Sequence, residues 1–360
     1  MTSDPSLPSG WPGAATSLPE GWTRDVPTGD DAPALTELCR GYEAHGRGWA
    51  GATAEDLLIE LSGETAVRTR RNVVIRDPAG VARGWGSAHD RAAGRMLLTA
   101  VVSVELDDAT ADRVAGVLFA WGDAAARSIG RGRGLATQQI DSGAFAGDAR
   151  QHRWLEAAGY AKVRTWWQMV RPVTERDRAL ADRVRDGVRI RRVRRDDDGL
   201  PDEEDLRTVH DVLESAFEDH FNSHEETFDE FVLRLRESPG HRWDHWWVAE
   251  LVDGPVGGPV DGIRVRPAGA LVGTVVEGSA GSPDGSYVEY LGVLDAARGR
   301  GVATSLLSTV IADAASRGRD RVGLEVDADS PTGADGLYVA MGWTTSYVTE
   351  SWHRHVPVGD

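Results

Sequence analysis

Apolar positions in the second half of the chain change period several times, and each change marks an element. Val188-Arg-Ile-Arg-Arg-Val193 alternates, as a half-buried strand does. Leu206, Val209, Val212, Leu213 and Phe217 recur at three- and four-residue spacing and predict a helix over about 202–217. A second helix is expected over about 227–237. Strands follow at 243–251, 269–277 and 287–293, the first two separated by the Gly-rich stretch 253–262. After Arg298-Gly-Arg-Gly301, the apolar residues Val302, Leu306, Leu307, Val310, Ile311 and Ala314 predict a helix that ends at Arg317-Gly318. A strand at 321–326, a short helix at 332–341 and a strand near 344–353 complete the half.

The first half runs in the same order. A strand near 22–26 precedes helices at about 32–44 and 54–61, and strands follow at 66–75, 81–89 and 96–105. A long helix covers about 109–128, then come a strand at 136–140, a short helix at 149–158 and a strand at 162–171. One order of elements met twice implies an internal duplication. The expected fold class is α/β, in its α+β form, with two tandem domains, each a mixed, mostly antiparallel twisted sheet flanked by helices. The expected division is a loose Pro-rich tail over 1–20, a first domain over 21–172, a charged linker over 173–187 and a second domain over 188–360.

Composition narrows the function classes. With 360 residues, 41% of them hydrophobic, the chain can bury two cores. No apolar run reaches the roughly 18–20 residues of a membrane span, and the opening residues show no apolar leader. A lone cysteine, Cys39, forms no internal disulfide, so a cytoplasmic location is expected. A formal charge of −17 disfavours nucleic acid and anionic membrane as partners. An anionic cofactor would need a local exception.

The stretch around residue 300 provides one. A strand, a Gly-rich turn and a helix start, in that order, make an anion site, because the first N–H groups of a helix lack internal acceptors and carry the positive end of its dipole. Gly299 and Gly301 let the backbone come close to a phosphate, and Arg298 and Arg300 add charge. No Gly-x-Gly-x-x-Gly opens a βαβ unit and no Gly-Lys-Ser/Thr occurs, which disfavours dinucleotide oxidoreductases and P-loop enzymes.

Arg298-Gly-Arg-Gly-Val-Ala303 resembles the signature of the GCN5-related N-acetyltransferase (GNAT) family, Arg/Gln-x-x-Gly-x-Gly/Ala, with Arg298, Gly301 and Ala303 at its defining positions. Downstream, Ala334, Leu337, Tyr338 and Gly342 match the family's closing motif, while Ser330 stands where Asn is usual and Trp343 where Phe is usual. The resemblance covers about 188–355, and the doubled arrangement is similar to tandem acetyltransferases of the mycothiol synthase kind.

The resemblance implies acetyl-CoA as cosubstrate, transfer to a small-molecule amine, and no metal. It places the pyrophosphate on Arg298, Gly299, Arg300, Gly301, Val302, Ala303 and Thr304, with Ser330 near the pantetheine arm. That arm lies along Leu291, Gly292 and Val293. Glu289, two residues before Leu291 and so on the same strand face, is the candidate general base. Tyr338 is the candidate proton donor to the departing thiolate. Phe217, Asp219, His220 and Phe221 are expected to line the acceptor cleft. The i,i+4 pair His220 and His224 lacks a placed third ligand, so a solvated acidic loop is expected there rather than a metal site. Trp243, Trp246 and Trp247 are read as packing residues.

Arg131-Gly-Arg-Gly-Leu-Ala136 nearly repeats the loop, but it follows a long helix and precedes a strand. Element order makes Asp107-Asp-Ala-Thr-Ala-Asp112 the equivalent of the loop, with three carboxylates and no glycine. The first domain is therefore expected to be a degenerate copy. A non-catalytic coenzyme-binding sensor or scaffold is the alternative reading, and the oligomeric state stays open.

Overall fold

The computed structural model describes residues 17–62, 69–91, 94–195, 201–218, 227–236, 241–253, 264–278, 282–329 and 333–359. By contact density the chain divides into two units. The first comprises Met1–Trp167, Asp327–Asp329 and Ser346–Asp360, and the second Gln168–Val326 and Ser330–Thr345.

In the first unit, strands β1 (Thr23–Asp25), β2 (Arg70–Arg76), β3 (Ala82–Arg91), β4 (Arg95–Val102) and β5 (Thr137–Phe145) lie in sequence order. Their pairs are antiparallel except β4 with β5, which are joined through helix α3 (Asp108–Gly132). A parallel pair needs such a crossover. Next to β5 runs the last strand of the chain, β12 (Thr344–Pro357), antiparallel from Thr349↔Phe145 to Pro357↔Thr137. Helices α1 (Ala32–Arg47) and α2 (Ala54–Ser62) contribute to one core, with Leu35, Leu57, Val74 and Trp85, and α3 contributes to another.

The units thus differ from the two consecutive stretches expected over 21–172 and 188–360. The closing strand of the second half completes the first unit's sheet, and Trp352 and Val356 lie in the α3 core beside Ile140, Trp154 and Tyr160. Alternation along 344–353 identifies a strand but not its partner, since side-chain period carries no pairing information. A consequence is testable. Val356 is fully buried, so Val356→Ala is expected to destabilise the first unit by about 2 kcal/mol in urea unfolding, although residue 356 belongs by sequence to the other half.

In the second unit, β7 (Val188–Arg192), β8 (His241–Asp253), β9 (Arg264–Val276), β10 (Gly285–Val293) and β11 (Arg321–Asp327) run in the order β11-β10-β9-β8-β7. All of these pairs are antiparallel except β10 with β11. The strand Ala161–Pro172, β6, passes the boundary between the units at Trp167. Within 173–187, Glu175–Asp182 forms a 3-10 helix whose Arg178 donates to the Ala315 carbonyl. Helices α5 (Glu203–Phe217) and α6 (Phe228–Arg236) cover one face through Val209, Leu213, Phe231 and Leu235, packed on Trp246, Val248, Ala270 and Val272. Helix α7 (Val302–Ser316) and the short helix α8 (Ala334–Ala340) follow β10 and β11 in the chain. Trp246 and Trp247 are buried, and Trp243 packs against Trp246 at a tilt, with ring centroids 5.0 Å apart, so the three tryptophans pack as expected. No helix is long and apolar enough to cross a membrane among the described residues.

Candidate active site

The second unit's sheet opens at β10. Its parallel pairing with β11 covers Ser286↔Val322 to Val288↔Leu324, while its antiparallel pairing with β9 continues to Val293↔Gly269. Beyond Val288 one edge of β10 thus leaves the β11 ladder. The register with β9 shifts between Val288 and Tyr290, so Glu289 is an extra residue on β10, a bulge. Simple alternation, which put Glu289 on the Leu291 face, does not foresee this. A bulge re-aims the side chain it carries. The Oε2 atom of Glu289 is buried.

Which main-chain groups face the open edge is set by the ladder. The Leu294 N–H donates to the Ala268 carbonyl at 2.9 Å. Hydrogen-bonded positions alternate in an antiparallel pair, so Gly292 turns its N–H and C=O toward β9. Leu291 and Val293 turn theirs away, toward the opened side. The three residues therefore split into one that holds the sheet and two that offer main-chain groups.

The chain then makes a 3-10 turn, Asp295–Ala297, and enters the loop. Gly299 and Gly301 both sit at left-handed φ, +76° and +78°, and Gly301 is the N-cap of α7. The first helical bond runs from Ser305 N–H to the Gly301 carbonyl at 3.0 Å, which leaves Val302, Ala303 and Thr304 without intrahelical acceptors. These residues, with Val293, Arg298, Gly299, Gly301 and Leu337, line a cavity of about 350 Å³. All the sequence-predicted loop residues except Arg300 therefore converge on one concavity; Arg300 is exposed and is not among its lining residues. Arg298 is exposed and paired with Asp295 at 2.8 Å.

A residue outside the motif also belongs to this corner. A Cβ built on Gly301 would stand 2.5 Å from Cγ of Arg185, so the Arg185 stem lies directly against the loop. The Arg185 N–H donates to Ser305 Oγ at 3.1 Å, which ties the segment after the 3-10 helix to α7. In a chain with 40 basic residues, the run Arg183-Val-Arg185 carries no signal that singles it out by sequence.

Tyr338 sits on α8, next to the cavity residue Leu337. It is 9% exposed, its ring meets Trp343 edge-on at 6.0 Å, and burial pushes its phenol up to about 12. Trp343, in the place usual for Phe, is 1% exposed and so fills the same apolar role. Phe217, at the end of α5, packs edge-on against Tyr290 of β10 at 6.2 Å. Asp219, His220, Phe221 and Ser330 lie outside the described residues, as does His224. Among the described residues, no group of three His, Cys, Asp or Glu side chains could hold a metal ion.

The first unit repeats the opening but not the loop. Its parallel pairing covers Arg95↔Gln139 to Leu98↔Ser142, and β4 continues to Val102. A turn, Ser103–Leu106, comes next and leads into α3, with Asp107 as N-cap. The Asp107 carboxylate accepts the Thr110 N–H at 3.0 Å, and that bond holds its carboxyl below the usual range. An ionised side chain already occupies the anion position at this helix start. The repeated letters fall elsewhere: Arg131 and Gly132 end α3, and Gly134 takes φ +68° in the turn toward β5.

Comparison with known proteins agrees with this geometry. Residues 209–343 match the model of the Acetyltransferase (GNAT) family. No curated protein matches the chain. Among solved structures, the chain is similar to a GCN5-related N-acetyltransferase from Sphaerobacter thermophilus, with a TM-score of 0.70 and 22% identity over 96% of this chain and 98% of that one. It is also similar to a tandem GNAT protein from the clavulanic acid biosynthesis pathway, with a TM-score of 0.62 and 14% identity over 94% and 99% of the two chains. N-myristoyltransferase from Saccharomyces cerevisiae shares the fold more distantly, with a TM-score of 0.55 and 11% identity over 98% of this chain and 82% of that one.

Proposed function

We propose, from the match of residues 209–343 to the Acetyltransferase (GNAT) family and the similarity of the fold to a tandem GNAT protein, that the protein is an acetyl-CoA-dependent N-acetyltransferase working through its second unit on a small-molecule primary amine. The observation that carries this reading is the contrast between two helix starts. At α7, Val302, Ala303 and Thr304, whose N–H groups lack intrahelical acceptors, line a cavity, whereas at α3 the Asp107 carboxylate accepts the Thr110 N–H.

In this reading the pyrophosphate rests on the loop from Arg298 to Thr304, on main-chain N–H groups and the positive end of α7. The pantetheine arm adds to the open edge of β10 through Leu291 and Val293, as an extra strand would. Gly292 holds the other side of that strand to β9. The thioester carbonyl then lies near the bulge, where a main-chain N–H stabilises the developing oxyanion. Glu289 takes a proton from the ammonium form of the acceptor, directly or through water, so that the neutral amine attacks. The tetrahedral intermediate loses its extra nitrogen proton to water and collapses, the C–S bond breaks, and Tyr338 supplies a proton to the departing sulfur and regains one from solvent. Transfer is direct. The single thiol, Cys39, is buried and pushed up to about 12, so it is no acyl carrier at neutral pH. The charge of −17 favours encounter with a cationic acceptor. The lone, buried cysteine also suits a cytoplasmic enzyme.

Calorimetric titration with acetyl-CoA is expected to give one equivalent per chain, and incubation with a panel of primary amines to release free thiol. Two equivalents, one of them lost on replacing Gly134, would overturn the assignment to the second unit. Tight binding with no thiol release across the panel would favour a coenzyme-binding sensor instead.

A further inference from the structure

The two faces of the sheet beside the split at β10 are fixed by their neighbours. A Cβ built on Gly269 would meet Val302 and Leu306 of α7, so Gly269 and its partner Val293 face α7, the side of the loop cavity. Ala270 and Val272 belong to the core that includes α5 and α6, and Val272 thus marks the opposite face. Thr274, two residues on, shares that face, and so does Tyr287, its partner on β10. Tyr287 is also paired with Gly323 of β11. A Cβ at 323 would stand 3.0 Å from Cδ2 of Tyr287, so the ring lies against β11 at that glycine. Glu325 is two residues further along β11 and shares this face, one pleat of about 7 Å beyond Gly323.

Glu325 also stands at the split itself. The β10–β11 ladder ends at Val288↔Leu324, so Glu289 and Glu325 are the first residues past the last pair, on strands about 5 Å apart there. The carboxylate on the bulge of β10 is therefore matched by a second one on β11. Glu325 is exposed, whereas the Oε2 atom of Glu289 is buried. The Gln168 side chain donates from Nε2 to Glu325 Oε2. Gln168 is itself buried, so its amide is held in place, and as a neutral donor it orients the carboxylate while leaving the charge on it.

Two carboxylates at one opening are more than a single amine uses. With the coenzyme on the α7 side, the acceptor comes to the split from the face of Tyr287 and Glu325. Glu289 serves the amino group that attacks. An acceptor laid across Glu325 takes water from a charged carboxylate, a cost that a cation on the acceptor offsets. The Tyr287 ring on the same face attracts a cation as well. A second aliphatic amino group, with an ordinary pKa of about 10.4, carries that charge at neutral pH.

We infer that Glu325, together with the Tyr287 ring, binds a second ammonium group of the acceptor, and that the acceptor class is diamines with a few carbons between their two amino groups. The inference rests on the proposed function of the second unit and names the acceptor within it. Glu325 is then the residue that distinguishes a diamine from a monoamine of the same length.

The test is steady-state thiol release by the full chain, at saturating acetyl-CoA, with diaminobutane, aminobutanol and butylamine as acceptors. The three share one carbon chain and differ at the far end, which is an ammonium, a hydroxyl or a methyl group. Wild-type kcat/KM is expected to be about tenfold or more higher for diaminobutane than for aminobutanol, the worth of one charge-assisted contact and more than two equivalent ends alone would give. Glu325→Gln is expected to bring the ratio down to that statistical level by raising the KM for diaminobutane while its kcat is kept, and Glu325→Asp to retain part of the preference. A wild-type ratio no greater than the statistical one would overturn the inference and leave the N-acetyltransferase reading standing, since all three acceptors are primary amines. An unchanged ratio in Glu325→Gln, or an equal fall in kcat/KM for all three acceptors, would also overturn it, the second making Glu325 a support of the split. No thiol release with these three or across the wider amine panel would overturn it together with the functional reading.

Discussion

Gly301→Glu is expected to raise the dissociation constant of acetyl-CoA by about 100-fold or more, and Gly134→Glu to leave it unchanged. The two glycines occupy the same place in nearly the same letters, Arg-Gly-Arg-Gly, and both take left-handed φ, +78° and +68°. A non-glycine residue at either carries a backbone cost of about 1–2 kcal/mol, so that term alone does not separate them. Position does. At Gly301 a Cβ would reach 2.5 Å from Arg185 Cγ and displace that side chain, and the added carboxylate would sit at the helix start where the pyrophosphate is expected. Losing two charge-assisted main-chain bonds to a phosphate is worth about 3 kcal/mol or more, which sets the scale of the loss. At Gly134 nothing lies within 4 Å of the added Cβ, and the residue follows the end of α3. The measurement is calorimetric titration of both variants, with thermal unfolding to confirm that each retains its fold. Equal weakening by both would show that the motif letters act wherever they stand, and would restore a second coenzyme site in the first unit.

Those letters also show what the sequence could and could not disclose. The period of apolar residues locates α7 at its first residue, Val302, because a strand pattern breaks and a helical one begins across two glycines. It likewise separates Arg131–Gly134, which a helix precedes, from Arg298–Gly301, which a strand precedes. Three features lie beyond that kind of reading. The last strand pairs with β5, and alternation along Thr344–Pro357 is the same whichever neighbour it has. The opening of β10 from β11 after Val288 and the bulge at Glu289 are properties of a ladder, set by two partners at once. Arg185 reaches the loop from 120 positions before Ser305, through the charged segment expected to link two domains. Local pattern therefore yields the elements and the anion turn, while long-range pairing determines which edge is open and which cations stand beside it.

Tyr338→Phe is expected to lower kcat by about 10²–10³-fold with little change in the KM for acetyl-CoA or in thermal stability. Phenylalanine keeps the ring edge-on to Trp343, so the packing of α8 is retained and only the hydroxyl is lost. Burial pushes the Tyr338 phenol up to about 12, so in the wild type it stays protonated across the working range. That fixes the sign of the pH effect. The wild-type rate rises with pH as the acceptor amine, with an ordinary pKa of about 10.4, loses its proton, and Tyr338 produces no fall until pH approaches 12. A fall centred near pH 10 would mean that the donor is an ordinary exposed phenol and not Tyr338. A second measurement separates proton donation from structural support. A thiolate of lower pKa needs less help to depart, so the Tyr338→Phe defect is expected to shrink with acyl donors built on more acidic thiols. A defect of constant size across such donors would show that the hydroxyl acts on another step, and Tyr338 would then be a positioning residue.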